Sequence, residues 1–278
     1  MPRTARPTSS IDRAPTGIEG LDALLGGGLP RGRATVLVGG PGAGKSVLAL
    51  QALVEGARRF REPGILVAFE EDRARIIANA SGLGWDIPAL ERRNLFLLNA
   101  QPHLDVVSSG SFDLEGLLSA LDGIVRAKGA KRIVFDAVDV VTSLLEDPAA
   151  RRRELYRLHE WLLARKLTTI FTAKTDGEGS PADDPLPQMQ FMVDCVIKLV
   201  AETTDGLSHR YLRVTKYRGS DFVANDSPMV IGATGVEVVG QPGLSPSIVP
   251  ASSERLSTGV QRLDAMLNGG YFRGSTTL

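Results

Sequence analysis

Residues 39 to 46 read Gly39-Gly40-Pro41-Gly42-Ala43-Gly44-Lys45-Ser46, a complete G-x-x-x-x-G-K-[ST] pattern set between an apolar run, Ala34 to Val38, and a helical run from Val47. No other stretch narrows the fold as much, because this loop works only with a strand before it and a helix after it. Its glycines let successive backbone N–H groups curl around phosphate oxygens, Lys45 adds a positive charge, and the Ser46 hydroxyl can ligate Mg2+. The chain is therefore expected to bind a nucleoside triphosphate through Gly40, Pro41, Gly42, Ala43, Gly44, Lys45, Ser46 and Val47.

A second feature sets the domain organisation. Thr16-Gly17-Ile18, Leu21-Asp22-Ala23-Leu24-Leu25 and Arg31-Gly32 recur without a gap as Thr258-Gly259-Val260, Leu263-Asp264-Ala265-Met266-Leu267 and Arg273-Gly274. The offset, from Thr16 to Thr258, is the length of a domain rather than of a solenoid repeat. In the first copy the phosphate loop follows shortly after, and in the second the sequence stops at Leu278. The expected division is a disordered tail over 1–14, a nucleotide-binding domain over 15–240, a Pro- and Ser-rich linker over 241–255, and the truncated beginning of a second such domain over 256–278.

Between these landmarks, short β-rich runs alternate with amphipathic helical ones. The strands are expected at Ala34 to Val38, Ile65 to Phe69, Leu95 to Leu98, Arg132 to Val138 and Thr168 to Ala173. The helices are expected at Val47 to Phe60, Ala74 to Ala80, Leu114 to Ala127 and Ala149 to Lys166. That alternation argues for an α/β fold with a mostly parallel sheet covered on both faces. After a Gly-, Pro- and Asp-rich loop over 175–187, the pattern changes to Met192 to Val200, a turn at Asp205-Gly206, and Tyr211 to Tyr217. A further hairpin, Met229 to Val239, turns at Thr234-Gly235, so antiparallel hairpins are expected at the C-terminal edge.

Composition excludes several classes. A hydrophobic content of 43% over 278 residues supports a substantial core, and no stretch approaches the roughly 18 apolar residues of a membrane helix. The N-terminus lacks an apolar signal segment, which points to the cytoplasm. Thirty-two basic residues balance thirty-two acidic ones, against a basic nucleic-acid platform. Cys195 is the single cysteine and reads as a small buried residue, and His103, His159 and His209 are too scattered to suggest a metal site. The run Arg151-Arg152-Arg153 reads as a solvated helix face.

Phosphoryl transfer needs a metal, a group to orient the attacking water, and positive charge for the transition state. The run Ile133-Val134-Phe135-Asp136 is an apolar strand ending in a carboxylate, so Asp136 is expected at the Mg2+ shell beside Ser46. Asp139 reads as a helix cap or a solvated residue. Glu70 and Glu71 follow the strand ending at Phe69, where parallel sheets build their sites. Spacing leaves two readings open for this pair: one polarises the attacking water, or both are solvated turn residues. Lys216 and Arg218 alternate onto one strand face and, on sequence alone, read most simply as solvated.

The combination Thr16-Gly17 to Arg31-Gly32, Gly39 to Ser46, Phe69-Glu70-Glu71, Gly84-Trp85-Asp86, Asp136 and Lys216-Tyr217-Arg218-Gly219 resembles the KaiC family of RecA-like ATPases, the circadian-clock ATPase and its relatives. The resemblance runs almost continuously over 16–240, and the tandem copy fits the family's duplicated architecture. It implies a RecA-like P-loop fold, ATP with Mg2+, Glu70 as the catalytic glutamate, and Glu71 at the metal with Ser46 and Asp136. It also implies a hexameric ring in which Lys216 and Arg218, with Tyr217 and Ser220 in the same segment, reach a neighbour's nucleotide, and protein partners that read the nucleotide state. Autophosphorylation belongs to the family's second domain and is not expected of this chain. Ala137 stands where a Ser is usual, Ala173-Lys174-Thr175 where a Thr-Glu-Arg run is usual, Phe222 for a His near the nucleotide, and Gly82 for a Ser near the base.

Three rivals remain in view. Ala173-Lys174-Thr175-Asp176 nearly matches the [NT]-K-x-D guanine reader, but the residues after Asp136 lack the glycine of D-x-x-G. A recombinase- or helicase-like DNA-associated ATPase would share the core but need a basic DNA-facing loop, and the loop Asp176 to Asp184 is acidic. A nucleotide-holding regulatory module with negligible turnover would share every motif above. Deletion of residues 245–278 is expected to leave nucleotide binding and Tm nearly unchanged, checked by titration and thermal unfolding of the shortened chain; a large loss of either would show that the tail stabilises the first domain.

Overall fold

The structure is a computed structural model that describes residues 11–101, 114–145, 147–175, 189, 192–204, 206–239 and 252–275. The chain divides into two compact units, with the break after Gly240. Residues 1–10, residues 241–251 of the expected linker, the acidic loop 176–184, His103 and Thr277-Leu278 lie outside the described residues.

In the first unit, β1 (Arg13–Ala14) pairs with β2 (Leu29–Pro30) around the one-turn helix α1 (Leu21–Leu24). The expected tail is thus shorter than 1–14, because Arg31 donates its N–H to Asp12 and Arg13 and Ala14 enter a sheet. There follow β3 (Ala34–Gly39), α2 (Lys45–Arg59), β4 (Gly64–Ala68), α3 (Arg73–Ser81), α4 (Ile87–Glu91) and β5 (Leu95–Asn99). Next come α5 (Leu114–Lys128), β6 (Arg132–Asp136), α6 (Val138–Ser143), α7 (Pro148–Arg165) and β7 (Thr168–Lys174). The unit closes with β8 (Cys195–Thr204), β9 (Leu207–Tyr217), β10 (Ser227–Gly232) and β11 (Gly235–Val238).

One nine-stranded sheet holds these together in the order β11-β10-β9-β8-β3-β7-β6-β4-β5. From β5 to β8 every pairing is parallel, and β9, β10 and β11 add antiparallel neighbours. The fold is therefore the mostly parallel α/β sheet with antiparallel hairpins at one edge that the strand and helix pattern predicts, and it agrees with the RecA-like architecture that the resemblance implies. One detail differs: β8 pairs parallel with β3 before turning into its hairpin, so the strand belongs to the parallel sheet as well.

The parallel strands are buried on both faces, as their near-continuous apolar runs require. Leu37, Leu66, Val134 and Ile170 pack on one side with Leu48, Leu53 and Val54 of α2. Val36, Val38, Ile65, Ile133, Phe135 and Phe171 pack on the other with Leu118 and Leu121 of α5 and Leu158 and Leu162 of α7. Phe69, Phe135 and Phe171 stack there at centroid separations of 6.4 and 5.3 Å. Cys195 lies in the first core, its thiol pushed up to about 12 by burial, in line with the packing role read from sequence.

Three polar ties fix the outer pieces to this core. Buried Arg132 donates to the carbonyls of Ala52 and Pro15 and, with Arg31, pairs with Glu62 at 2.6 and 2.5 Å. Desolvation alone would raise the Glu62 carboxyl, but the two arginines hold it below the ordinary range. Gln51, buried on α2, donates to the Val236 carbonyl at 3.1 Å and accepts its N–H at 2.6 Å, clamping the terminal hairpin to the phosphate-loop helix. Arg151 bonds the Leu145 carbonyl, while Arg152 and Arg153 of the basic run are exposed as expected.

The second unit carries β12 (Arg255–Leu256), α8 (Gln261–Met266) and β13 (Tyr271–Phe272), and its strands pair antiparallel. It repeats the central bonds of the first unit's opening motif. Thr16 donates its N–H and hydroxyl to Asp22 Oδ1, and Thr258 does the same to Asp264 Oδ1. Gly28 and Gly270 have positive φ, and a Cβ on either would run into the opposite strand, at Ala14 or Leu256.

Gln51→Leu keeps the side-chain volume but strands the Val236 N–H and carbonyl in the core. It is expected to lower stability by about 2–4 kcal/mol, measured from the urea unfolding midpoint, and a change within error would remove the clamp from the fold's support.

Candidate functional site

β3 delivers the phosphate loop at its C-terminal end, in the middle of the sheet. Gly39 to Gly44 turn tightly, with an Ala43 N–H to Gly40 carbonyl bond, and Ala43 is fully buried while Pro41 and Gly42 face outward or line the turn. Gly44 has φ of 96°, a left-handed backbone that favours glycine, and a Cβ there would also press on the terminal methyl of Ile231 on β10, which can turn aside. Helix α2 begins at Lys45, and its first N–H groups, which have no carbonyl one turn back, face the loop with the positive end of the helix dipole. Val47 packs against the first core and anchors that turn.

Lys45 Nζ donates to the Gly39 and Gly40 carbonyls at 2.7 and 2.9 Å, spanning the loop. Burial lowers its pKa and Lys174 adds to that, against the pull of Asp139, Asp136 and Glu70. Ser46 donates to Asp136 Oδ1 at 2.9 Å, and Thr172 of β7 donates to the same oxygen at 2.6 Å. Thr172 in turn accepts the Ala137 N–H at 2.7 Å. Burial raises the Asp136 carboxyl, the bonds from Thr172 and Ser46 oppose that shift, and the charges of Glu70 and Glu71 add to it.

Ala137 explains why β6 stops at Asp136 rather than running to Val138 as expected. Its φ of 66° is left-handed, which turns the chain out of the strand and into α6. Such a conformation costs a non-glycine residue about 1–3 kcal/mol, and the bond to Thr172 helps hold it. Asp139 follows in the first turn of α6. It is neither a cap nor simply solvated: its Oδ1 accepts the Lys174 N–H at 3.4 Å, and burial raises its carboxyl.

Glu70 and Glu71 leave the end of β4 in different directions. Glu70 pairs with Lys174, while its carbonyl accepts from Gln101 at 2.7 Å. Glu71 accepts from Asn79 of α3 at 3.3 Å and lines a cleft of about 150 Å3 with Ser46, Val47, Leu50, Asn79 and Asp136. Ser46, Asp136 and Glu71 form a set of hard oxygen donors. Mg2+ uses one or two such protein oxygens together with phosphates and waters, so this donor set suits it. Among the described residues there is no cluster of three or more His, Cys, Asp and Glu built to hold a metal unaided.

The family profile described as "ATPase: KaiC" matches residues 14–243, the whole stretch that builds this site. The chain belongs to the KaiC family of ATPases. It is 38% identical over 97% of its length to the circadian clock protein KaiC2 of Synechocystis sp., and 35% identical over 96% to the circadian clock oscillator protein KaiC of Parathermosynechococcus lividus. It covers 47% and 50% of those proteins, so it spans about half the length of the curated relatives it matches. A crystal structure of a KaiC-like protein from the hyperthermophilic archaeon Pyrococcus horikoshii OT3 superimposes with a TM-score of 0.72 at 28% identity, covering 82% of this chain and 99% of that one.

Measured against the KaiC resemblance, the Lys216 segment is placed apart from the loop. Arg218 donates its N–H to the Asp194 carbonyl, and Asp194 donates its own to Ala34, at the start of β3, whereas the phosphate loop leaves from its end. A strand of that length separates the two by roughly 20 Å. Arg218 instead borders a second cleft, of about 840 Å3, with Arg31, Arg33, Lys131, Lys166 and Asp194. Lys216 lies between, paired with Val196, its pKa lowered by burial and then by Arg218. The Tyr217 side chain turns inward. It is buried, its hydroxyl donates to the Gly28 carbonyl at 2.8 Å, and Arg13 lies over its ring. Ser220 likewise accepts from Arg13, so these two residues brace the opening motif.

Sequence reasoning missed Thr172, Asn79, Gln101 and the inward face of Asp139. The alternation of β7 could have found Thr172, since it falls on the Asp136 side of the sheet, but Asn79 and Gln101 carry no sequence signal.

Gly44→Ala is expected to weaken ATP binding at least tenfold with a smaller effect on stability, because the strained φ distorts the loop that turns toward phosphate. Isothermal titration beside thermal unfolding measures the two; unchanged affinity would take the loop out of the site.

Proposed function

We propose that this chain binds ATP with Mg2+ and hydrolyses it slowly, as one subunit of a homo-oligomeric ring whose nucleotide state is read by protein partners. The loop supplies phosphate contacts through Lys45 and the amides from Gly40 to Val47, and Mg2+, held by Ser46 and Asp136 with Glu71 close by, would supply charge neutralisation on the transferring phosphoryl group. Glu70 is the group that takes the proton of the attacking water. The observation that carries this reading is the 2.9 Å bond from Ser46 to Asp136, which joins the loop to the second motif beside the helix terminus.

Positive charge for the transition state comes from a neighbouring subunit in this reading. Arg218 stands a strand's length from its own loop, which supports action across an interface, with Lys216 beside it. A hexameric ring and a cytoplasmic setting follow the family resemblance, and among the described residues no helix is long and apolar enough to cross a membrane. Autokinase activity is not part of the proposal. The repeat of the opening motif over 252–275 supports reading that unit as the start of a second domain of the same kind. DNA-associated activity is disfavoured by the zero net charge.

A second reading, a module that holds ATP with negligible turnover, has one observation in its favour. The glutamate needed as base is engaged by Lys174.

Lys45→Ala is expected to abolish measurable ATP binding, and Glu70→Gln to retain binding while losing hydrolysis. Near-normal binding by the first variant would defeat the nucleotide assignment, and unchanged turnover in the second would move the base to Glu71 or elsewhere. Mixing Arg218→Ala with Glu70→Gln subunits should restore part of the hydrolysis, because some interfaces then combine an intact Glu70 with an intact Arg218. A fully active monomer by size exclusion would refute action across an interface.

A further inference from the structure

Lys174 is the last residue of β7 and the register partner of Gly39, the first residue of the phosphate loop. The next residue, Thr175, donates its N–H to the Gly39 carbonyl at 3.4 Å, which ties this strand end to the loop. Strand alternation sends Lys174 to the same face as Thr172, whose hydroxyl meets Asp136. Its ammonium pairs with the carboxylate of Glu70, and both side chains are 41% exposed, so the pair is not locked in the core. The phosphate-loop pattern makes no use of a cation here, and the family resemblance leads one to expect a glutamate.

The guanine-reader pattern does not account for this lysine either. Its ammonium lies among Glu70, Lys45 and Asp139, at the phosphate end of the site, and Asp176 lies outside the described residues. A terminal phosphate brought to the loop adds concentrated negative charge beside Gly39, and a flexible ammonium with three donors can turn from one carboxylate to that stronger acceptor.

We propose that Lys174 is a ligand of the ATP terminal phosphate within its own subunit, exchanged between that phosphate and Glu70. The inference rests on the ATPase reading above and adds a second cation to Lys45 on the subunit's own side of the nucleotide. With ATP bound, the ammonium moves to a γ-phosphate oxygen and Glu70 turns to the attacking water. The water oxygen then bonds to the γ-phosphorus, the bond from that phosphorus to the β,γ-bridging oxygen breaks with its electron pair leaving on ADP, and the water proton passes to Glu70. ADP offers no γ-phosphate, so it leaves Lys174 on Glu70.

The test compares the affinity of the full chain for ADP and for the non-hydrolysable β,γ-imido analogue of ATP, both with Mg2+. Lys174→Gln should weaken the analogue about tenfold and ADP less than about twofold, and Lys174→Arg should keep most of the difference. Glu70→Gln, by removing the competing carboxylate, should tighten the analogue in the parent chain but not in the Lys174→Gln background. Equal weakening of both nucleotides would make Lys174 a structural support, and no change in either would make the pair an ordinary surface ion pair; each result overturns the proposal. Failure of the parent chain to bind either nucleotide would overturn the ATPase reading itself, and the inference with it.

Discussion

The site depends on the register of the parallel ladder. Gly39 stands opposite Lys174, and Ala68 stands opposite Asp136, so the phosphate loop, the second-motif carboxylate and the Glu70 turn all leave the sheet at one level. A one-residue slip would send Asp136 into the Phe69, Phe135 and Phe171 stack and Phe135 toward the loop. Burial on both faces makes that slip costly, since every strand would then present the wrong side chains to both cores. The two hydrophobic layers therefore position the polar groups as much as they stabilise the chain.

Around that ladder the site gathers more charge than it neutralises. Asp136, Asp139, Glu70 and Glu71 face Lys45 and Lys174, and burial raises Asp136 and Asp139 while lowering Lys45. Each of these shifts has the same cause, the removal of water from an ionised group. Four carboxylates against two ammonium groups leave an excess of negative charge, which a divalent cation held by the carboxylates would offset. Thr172 serves the same end without charge, because one hydroxyl fixes both the carboxylate of Asp136 and the left-handed backbone of Ala137.

Much of this is legible in the sequence because it is written in local patterns. The glycine spacing marks the loop, the run from Ile133 to Asp136 marks the second strand, and the alternation of strands with amphipathic helices marks the sheet. Less legible are features decided by residues far apart in the chain. Tyr217 reads as part of a nucleotide contact, yet the partner of its hydroxyl is Gly28, nearly two hundred residues earlier. Asp139 reads as a cap, yet its partner lies on β7. The parallel pairing of β8 is hidden because a strand's alternation does not tell the direction of its neighbour. Arg13 reads as tail because its partners, Leu25, Tyr217 and Ser220, cannot be inferred from its polar surroundings.

The duplicated opening motif has a kinetic meaning. In each copy the Thr–Asp bonds, the short helix and the two-residue strand pair are all closed by residues close in sequence, as from Arg255 to Phe272. Closing so short a loop costs little chain entropy and is fast, whereas β3 must wait for β7 and β8 to arrive from more than a hundred residues away. The motif can thus take shape ahead of the sheet and present the first strand already oriented for its neighbours, a local starting point that a chain built from tandem copies would carry once in every copy.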